Sequence, residues 1–249
     1  MKFSVITVVK NDKKNLLVSL KSVISQKCPI FEYIIYDGMS NDGTKPSVKK
    51  YLNKNIKYIK CKDKNYYDGL NNAIKNAKGD YIGILNAGDQ YMNSEVLKKV
   101  FNKILLSKCD LLFGNLVYLS KKSKITRVWN YPVIRLNKLT ALKIASPTLF
   151  LKKKILLSNP YDIKYDISAD TDFNIKISEK KYKFIYTNLN LIFMRSGGLS
   201  TNKKFFLKKM KQDLEILFKY FGLLSPIVYL YKIIFKISSL NIFKTNKQI

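Results

Sequence analysis

Histidine is absent from this 249-residue chain. That excludes His-based catalytic triads, HExxH zinc sites and any imidazole general base. Cysteine is scarce: Cys28, Cys61 and Cys109 lie far apart, odd in number and in no CxxC spacing. This argues against a disulfide framework or a zinc knuckle and predicts buried, inert thiols in a reducing compartment. Arginine is limited to Arg127, Arg135 and Arg195 among 46 basic residues. Nucleic-acid readers depend on arginine for forked and stacked contacts, so the formal charge of +29 does not predict a nucleic-acid partner. The amino terminus shows no signal-peptide pattern, and no stretch reaches the ~18 uninterrupted apolar residues of a spanning helix.

What is present can fold. A 47% hydrophobic, 13% aromatic composition supports a buried core and excludes wholesale disorder. The length suits one large domain, or one domain with an appendage. Residues 3–9 form a β-branched run stopped by Lys10-Asn11-Asp12, and residues 13–26 place Leu16, Leu17, Leu20, Val23 and Ile24 at helical spacing. Strands follow at 32–36, 56–60 and 81–85, with a helix at about 67–77. Farther on, strands at 111–118 and 125–129 suggest a hairpin, followed by a helix over 168–180 and two strands near 183–187 and 190–195. Strand–helix alternation with polar, Gly-bearing loops predicts an α/β fold with a mostly parallel sheet covered on both faces. Ligands on such sheets collect beyond the carboxyl ends of the strands.

Three acidic loops fall at such ends. Asp37 through Thr44 offers carboxylates and helix-start N–H groups to a nucleotide, or forms an ordinary capped turn. Asn86-Ala87-Gly88-Asp89 offers one carboxylate, enough for Mg²⁺ or Mn²⁺ when a diphosphate supplies other oxygens, or forms a turn. Asp170 and Asp172 open a helix, where they either satisfy free N–H groups or give one general base to a cleft.

The segments ITVVKND, IIYDGMSNDGT, DKNYYDGLNNAI, GDYIGILNAGD and ISADTDFNIKI resemble, in order and spacing, those of bacterial family 2 glycosyltransferases, closest to colanic-acid-type polysaccharide enzymes. The resemblance covers about residues 1–200. It implies a GT-A fold, a Rossmann-like sheet with helices on both faces. It implies that Thr7, Val9 and Asp37 line a nucleoside pocket, with Ser40 and Asp42 shaping that loop. Asp63, Asp68 and Asn71 would border the donor sugar and diphosphate. Asn86, Ala87 and Gly88 would lie along the diphosphate, and Asp89 would hold Mn²⁺ or Mg²⁺. Asp170 would be the catalytic base, with Asp172 supporting the helix start, and Arg195 would reach a phosphate from a GG-S loop. The implied activity is inverting transfer from a nucleotide-diphosphate sugar, UDP-sugar first, to a glycan or lipid-linked hydroxyl in surface polysaccharide synthesis. The implied domains are a catalytic unit over 1–202, divided at 110/111 into donor and acceptor halves, and an extension over 203–249. Two departures stand out: Asn86 and Gly88 replace acidic residues of the metal motif, and Ser146-Pro147-Thr148 stands where relatives carry His. A sugar-phosphate nucleotidyltransferase and a degenerate sugar-nucleotide-binding scaffold are the rival readings.

Residues 203–249 carry ten lysines against Asp213 and Glu215, interleaved with Phe, Leu, Ile and Tyr. The pattern fits a basic amphipathic helix on an anionic membrane surface, here the cytoplasmic face of an inner membrane. The alternative is a helical hairpin packed on the domain or forming a homodimer contact.

Overall fold

The computed structural model describes residues 1–28, 32–120, 122, 124–195 and 205–241. Strand β1 (Phe3–Val9) is buried along its whole length. Its β-branched side chains suit a pleated surface, and a continuous apolar run suits a strand covered on both faces. Helix α1 (Lys13–Ile24) lays Leu16, Leu20 and Val23 on that sheet. Strands β2 (Glu32–Asp37) and β3 (Ile56–Lys60) extend it in parallel on one side of β1, with helix α2 (Thr44–Val48) between them. Helix α3 (Tyr66–Asn76) then returns the chain to β4 (Tyr81–Ile84), parallel to β1 on its other side. Strand order therefore reverses between β1 and β4. A crevice opens at such a reversal, outside the carboxyl ends of the two strands. Asn11-Asp12 and Asn86–Asp89 lie there.

Beyond β4 come β5 (Gln90–Tyr91), α4 (Val96–Ser107), β6 (Leu111–Leu119), β7 (Ile125–Trp129), α5 (Lys138–Ala141), β8 (Phe150–Lys152), α6 (Lys153–Ser158), α7 (Ala169–Ser178) and β9 (Phe184–Arg195). The sheet order is β3-β2-β1-β4-β8-β6-β9-β5, with β7 paired to β6. The parallel arrangement stops at β4: β8 runs antiparallel to both β4 and β6, while β6 and β9 are parallel. Antiparallel neighbours need no crossover helix, which is why this half lacks regular strand–helix alternation. The two strands expected near 183–195 are one, whose pairing with β6 shifts register around Asn115. The β6–β7 hairpin is as expected.

Helices cover both faces. One core gathers α3, α6 and α7 around Ile6, Ile34 and Phe113; the other gathers α1 and α4 around Val5, Ile35 and Leu112. Helices α8 (Phe206–Phe221) and α9 (Ser225–Asn241) belong to the same packing. Ile216, Leu217 and Val228 enter the first core and Phe235 the second. Asp172, fully buried, anchors α8 through the Lys219 ammonium at 2.8 Å and the Tyr220 hydroxyl at 3.0 Å. The tail is thus docked on the domain, yet Leu223, Ile227, Leu230, Ile234 and Ile237 point outward and stay exposed. By length and composition the run Phe206–Ser239 could cross a membrane, with 22% of its most apolar window buried. Of the cysteines, Cys28 and Cys109 are buried as expected, whereas Cys61 is exposed.

Candidate active site

The loop after β2 is locked by its own carboxylates. Asp37, fully buried, accepts from the Ser40 backbone at 2.9 Å and hydroxyl at 2.5 Å through one oxygen, and from the Tyr58 hydroxyl through the other. Asp42 receives the Lys13 N–H at 2.9 Å and both the N–H and hydroxyl of Thr44. It therefore caps two helix starts from outside, since α1 gets no side-chain cap from Asp12. These bonds hold the Asp42 carboxyl below its ordinary range. Ser40 also accepts from the Asn11 N–H at 2.8 Å, tying the loops after β1 and β2 together. Thr7 donates to the Leu85 carbonyl at 2.6 Å and accepts from Tyr33, and Val9 lies in the core. Both side chains are taken up inside the sheet.

After β4 the chain turns on Gly88, whose φ of +94° falls in the left-handed region that favours glycine. The Ser19 hydroxyl secures this turn, accepting from the Gly88 N–H at 2.9 Å and lying 2.8 Å from the Asn86 carbonyl. Asn86 donates to Asp89 at 3.2 Å and accepts from the Tyr66 hydroxyl at 2.5 Å. Because β5 pairs with β9, the Arg195 end of β9 comes alongside, and the Arg195 backbone N–H bonds to Asp89. Asp89 is 4% exposed. Burial pushes its carboxyl up to about 7, against the pull of Asn86 and Arg195.

A cavity of about 470 Å³ opens beside this turn. Tyr66, Tyr67 and Asn86 line one side, and Asp170 and Thr171 at the start of α7 another. Among the described residues, the Asp170 carboxylate accepts a single hydrogen bond, from the neighbouring Thr171 N–H at 2.9 Å. The Tyr66 hydroxyl is pushed up by burial and then by the charges of Asp89 and Asp170. Arg127, Trp129, Ser146 and Asn174 close the wall. Ser146 accepts from Asn174 at 3.0 Å.

Asn86 and Asp170 thus share one cavity, and Asp89 and Arg195 stand behind Asn86. Asp68 and Asn71 do not reach it. They border a second hollow beside Tyr161, where the Asn71 amide is saturated by the Tyr161 backbone at 2.8 and 3.0 Å. Asp68 accepts from Lys64 in the turn before α3. Asp63 lies between Tyr36 and Asn72, with one buried oxygen unpartnered. Asp172 faces α8, away from the cavity. Residues 196–204, which include the expected GG-S segment and Lys203 and Lys204, lie outside the described residues. Sequence reasoning passed over Tyr66, Tyr67, Arg127 and Trp129. The paired tyrosines were visible inside the middle motif, but nothing local marks Arg127.

Among the described residues no group of three or more Cys, Asp or Glu forms a ready metal cage. Asp89 and Asn86 fit a divalent ion whose other ligands come from substrate phosphates. Such a charge would also favour the ionised form of a buried carboxyl.

The description glycosyl transferase family 2 matches residues 4–157. An Escherichia coli relative, UDP-Glc:alpha-D-GlcNAc-diphosphoundecaprenol beta-1,3-glucosyltransferase WfaP, is 30% identical over 213 residues, 80% of each chain. Staphylococcus aureus TarS in complex with UDP-GlcNAc superposes with a TM-score of 0.68 at 19% identity, covering all of this chain and 77% of the other. The Pyrobaculum calidifontis mannosyltransferase PcManGT in complex with GDP-Man and Mn²⁺ gives 0.67 at 14% identity, covering all of this chain and 76% of the other. This α/β architecture is therefore of the GT-A type, and the chain belongs to glycosyl transferase family 2.

Proposed function

We propose that this protein transfers a sugar from a nucleotide-diphosphate donor, UDP-sugar first, to a hydroxyl of a lipid-linked glycan acceptor in surface polysaccharide synthesis. The observation that carries the reading is the shared cavity of Asn86 and Asp170, where the Tyr66 hydroxyl bonds to Asn86. Asp37, Ser40, Asp42 and the strand-end backbone at Thr7 and Val9 shape the nucleoside end, and Asp63 adds its unpartnered oxygen. The diphosphate lies along Asn86, Ala87 and Gly88, and Arg195 approaches it from β9. Asp89, with Asn86, would hold Mn²⁺ or Mg²⁺, which would supply positive charge against the leaving diphosphate. Asp170 takes the proton of the acceptor hydroxyl as that oxygen attacks the anomeric carbon from the opposite face, inverting it. Asp68 and Asn71 act on the scaffold.

The WfaP acceptor is a diphosphoundecaprenol-linked sugar, which supports a lipid-linked acceptor here. The outward apolar residues of α9, beside the exposed lysines Lys208 and Lys211, suit a peripheral position on an anionic membrane. Helix α9 lies along that surface and does not span it, because its inner face is docked on the domain.

The test is release of UDP from a panel of UDP-sugars, with Mn²⁺ and a sugar-diphosphate-lipid acceptor, alongside calorimetric UDP binding. Acceptor-dependent release from one or two donors is expected. Binding without turnover across the panel would favour a sugar-nucleotide-binding scaffold instead.

A further inference from the structure

Outside the contacts of Val228 and Phe235 with the cores, helix α9 is amphipathic the wrong way round. A surface helix of a globular domain turns its apolar stripe inward and its charges to water. Here Ile227, Leu230, Ile234 and Ile237 face out at helical spacing, 65%, 58%, 64% and 54% exposed. Lys232 and Lys236, one turn apart, occupy the opposite side and line the same cavity as Asp170. The Lys232 side chain is 6% exposed, its ammonium 3.0 Å from Asp213 and 3.1 Å from the Thr171 hydroxyl. Lys209 of α8 joins them, 3.7 Å from Asp213 and 3.3 Å from the Ser168 hydroxyl. The Lys236 ammonium has no hydrogen bond or ion pair among the described residues.

Across the cavity, Arg127 lies against Tyr118 and Trp129, its guanidinium carbon 4.9 and 4.4 Å from the ring centres. Two of its nitrogens are buried and make no hydrogen bond. Four cations therefore line a wall whose carboxylates are Asp170 and Asp166, and Asp166 is engaged by Lys208 and Gln212. Asp213 alone answers the lysines from behind. Burial, and then the charges of Lys232 and Lys209, pull the Lys236 ammonium down to about 7. Buried like charges repel one another unless anions sit among them, and with three lysines against Asp213 the cluster has room for an anion. A guanidinium with free N–H groups matches the paired oxygens of a phosphate.

Donor and acceptor can both supply phosphate. The donor diphosphate is assigned to the turn after β4, whereas these lysines stand behind Thr171, on the side of the base. We propose that Lys209, Lys232, Lys236 and Arg127 seat the phosphate or diphosphate of a lipid-linked acceptor, whose hydrocarbon leaves along the outward apolar face of α9. This rests on the glycosyltransferase reading and adds the acceptor's anchoring group to it. It gives the reversed helix a purpose on each side: phosphate within, lipid without.

The experiment is calorimetry on the full chain, with farnesyl diphosphate as probe, alone and on protein saturated with UDP and Mn²⁺. The wild type is expected to bind the probe in both states. Lys236→Gln is expected to weaken it about tenfold and Lys236→Arg to restore most of the loss, with UDP affinity unchanged in both. The Lys236 ammonium makes no hydrogen bond or ion pair among the described residues, so its variants should keep the wild-type melting temperature. If Lys236→Gln nevertheless unfolds, Arg127→Gln carries the same prediction. Absence of probe binding, equal binding by wild type and Lys236→Gln, or displacement of the probe by UDP would overturn the proposal. A protein that binds the probe but no nucleotide would instead refute the donor assignment and leave the phosphate seat standing.

Discussion

The loop Asp37–Thr44 and helix α9 both concentrate charge, and they treat it in opposite ways. In the loop, each oxygen of Asp37 and Asp42 meets a donor of the protein itself. In α9, the Lys236 ammonium meets no acceptor among the described residues, and Lys232 shares Asp213 with Lys209. The first pattern builds a shelf before any ligand arrives; the second leaves binding capacity for one. Asp170 sides with α9, holding only the adjacent Thr171 N–H. Its neighbour Asp172 stands nearer the loop's pattern, with Lys219 and Tyr220 donating to one oxygen and the Lys176 ammonium 3.4 Å from the other.

The sharpest way to break the contrast is to neutralise those two carboxylates in turn. Asp170→Asn should cut transfer by about 10³-fold, the scale of a lost general base, while UDP binding and melting temperature hold. Asp172→Asn should cost roughly 2–3 kcal/mol by chemical unfolding, less than a fully buried pair because Lys219 is half exposed. Equal effects of both on stability would erase the distinction.

Asp37→Ala comes next. It strands the Ser40 N–H and the Tyr58 hydroxyl, costing about 2–3 kcal/mol, and should weaken UDP binding by unlocking the loop. Calorimetry showing unchanged UDP affinity in a folded variant would separate the shelf from the nucleoside.

Acid titration probes the other region. Burial alone would raise the Asp213 carboxyl, but Lys232, Lys209 and Lys236 outweigh it and hold it at about 2. Its contribution, about 2 kcal/mol, is complete above the unfolded value near 4 and is lost as pH falls toward 2. Trp129, the sole tryptophan, packs against Phe235 of α9 at 5.1 Å, so its fluorescence should report undocking across that window. Asp213→Asn should flatten the response.

The smallest intrinsic effect is at the outer stripe. Leu230→Glu with Ile234→Glu should leave the melting temperature within about 1 °C, since both side chains already face solvent. Flotation with anionic vesicles should fall about tenfold. Unchanged flotation, or conversion of a wild-type dimer to monomer, would reassign the stripe to contact between two copies.

The first half of the fold was legible because parallel strands covered on both faces leave unbroken apolar runs, as in β1, and polar loops after them. The three acidic loops were legible for the same reason. The second half was not, since β8 has three residues and β9 hides a register shift in what reads as two strands. Within the site, Asp170, Asn86 and Asp89 could be found from their strand and helix ends. Arg127 and the lysines could not, because their meeting is set by packing of α8 and α9 far along the chain. In a run of lysines, nothing local tells a solvated one from Lys232. Asn71 misleads in the other direction: its amide serves Tyr161, a partner ninety residues away.

The most direct measurement is a crystal structure with a UDP-sugar and Mn²⁺. The account predicts the ion between Asp89 and the diphosphate, and the anomeric carbon facing Asp170 across the cavity. A nucleotide seated instead in the hollow of Asp68 and Asn71, or a sugar turned away from Asp170, would contradict it.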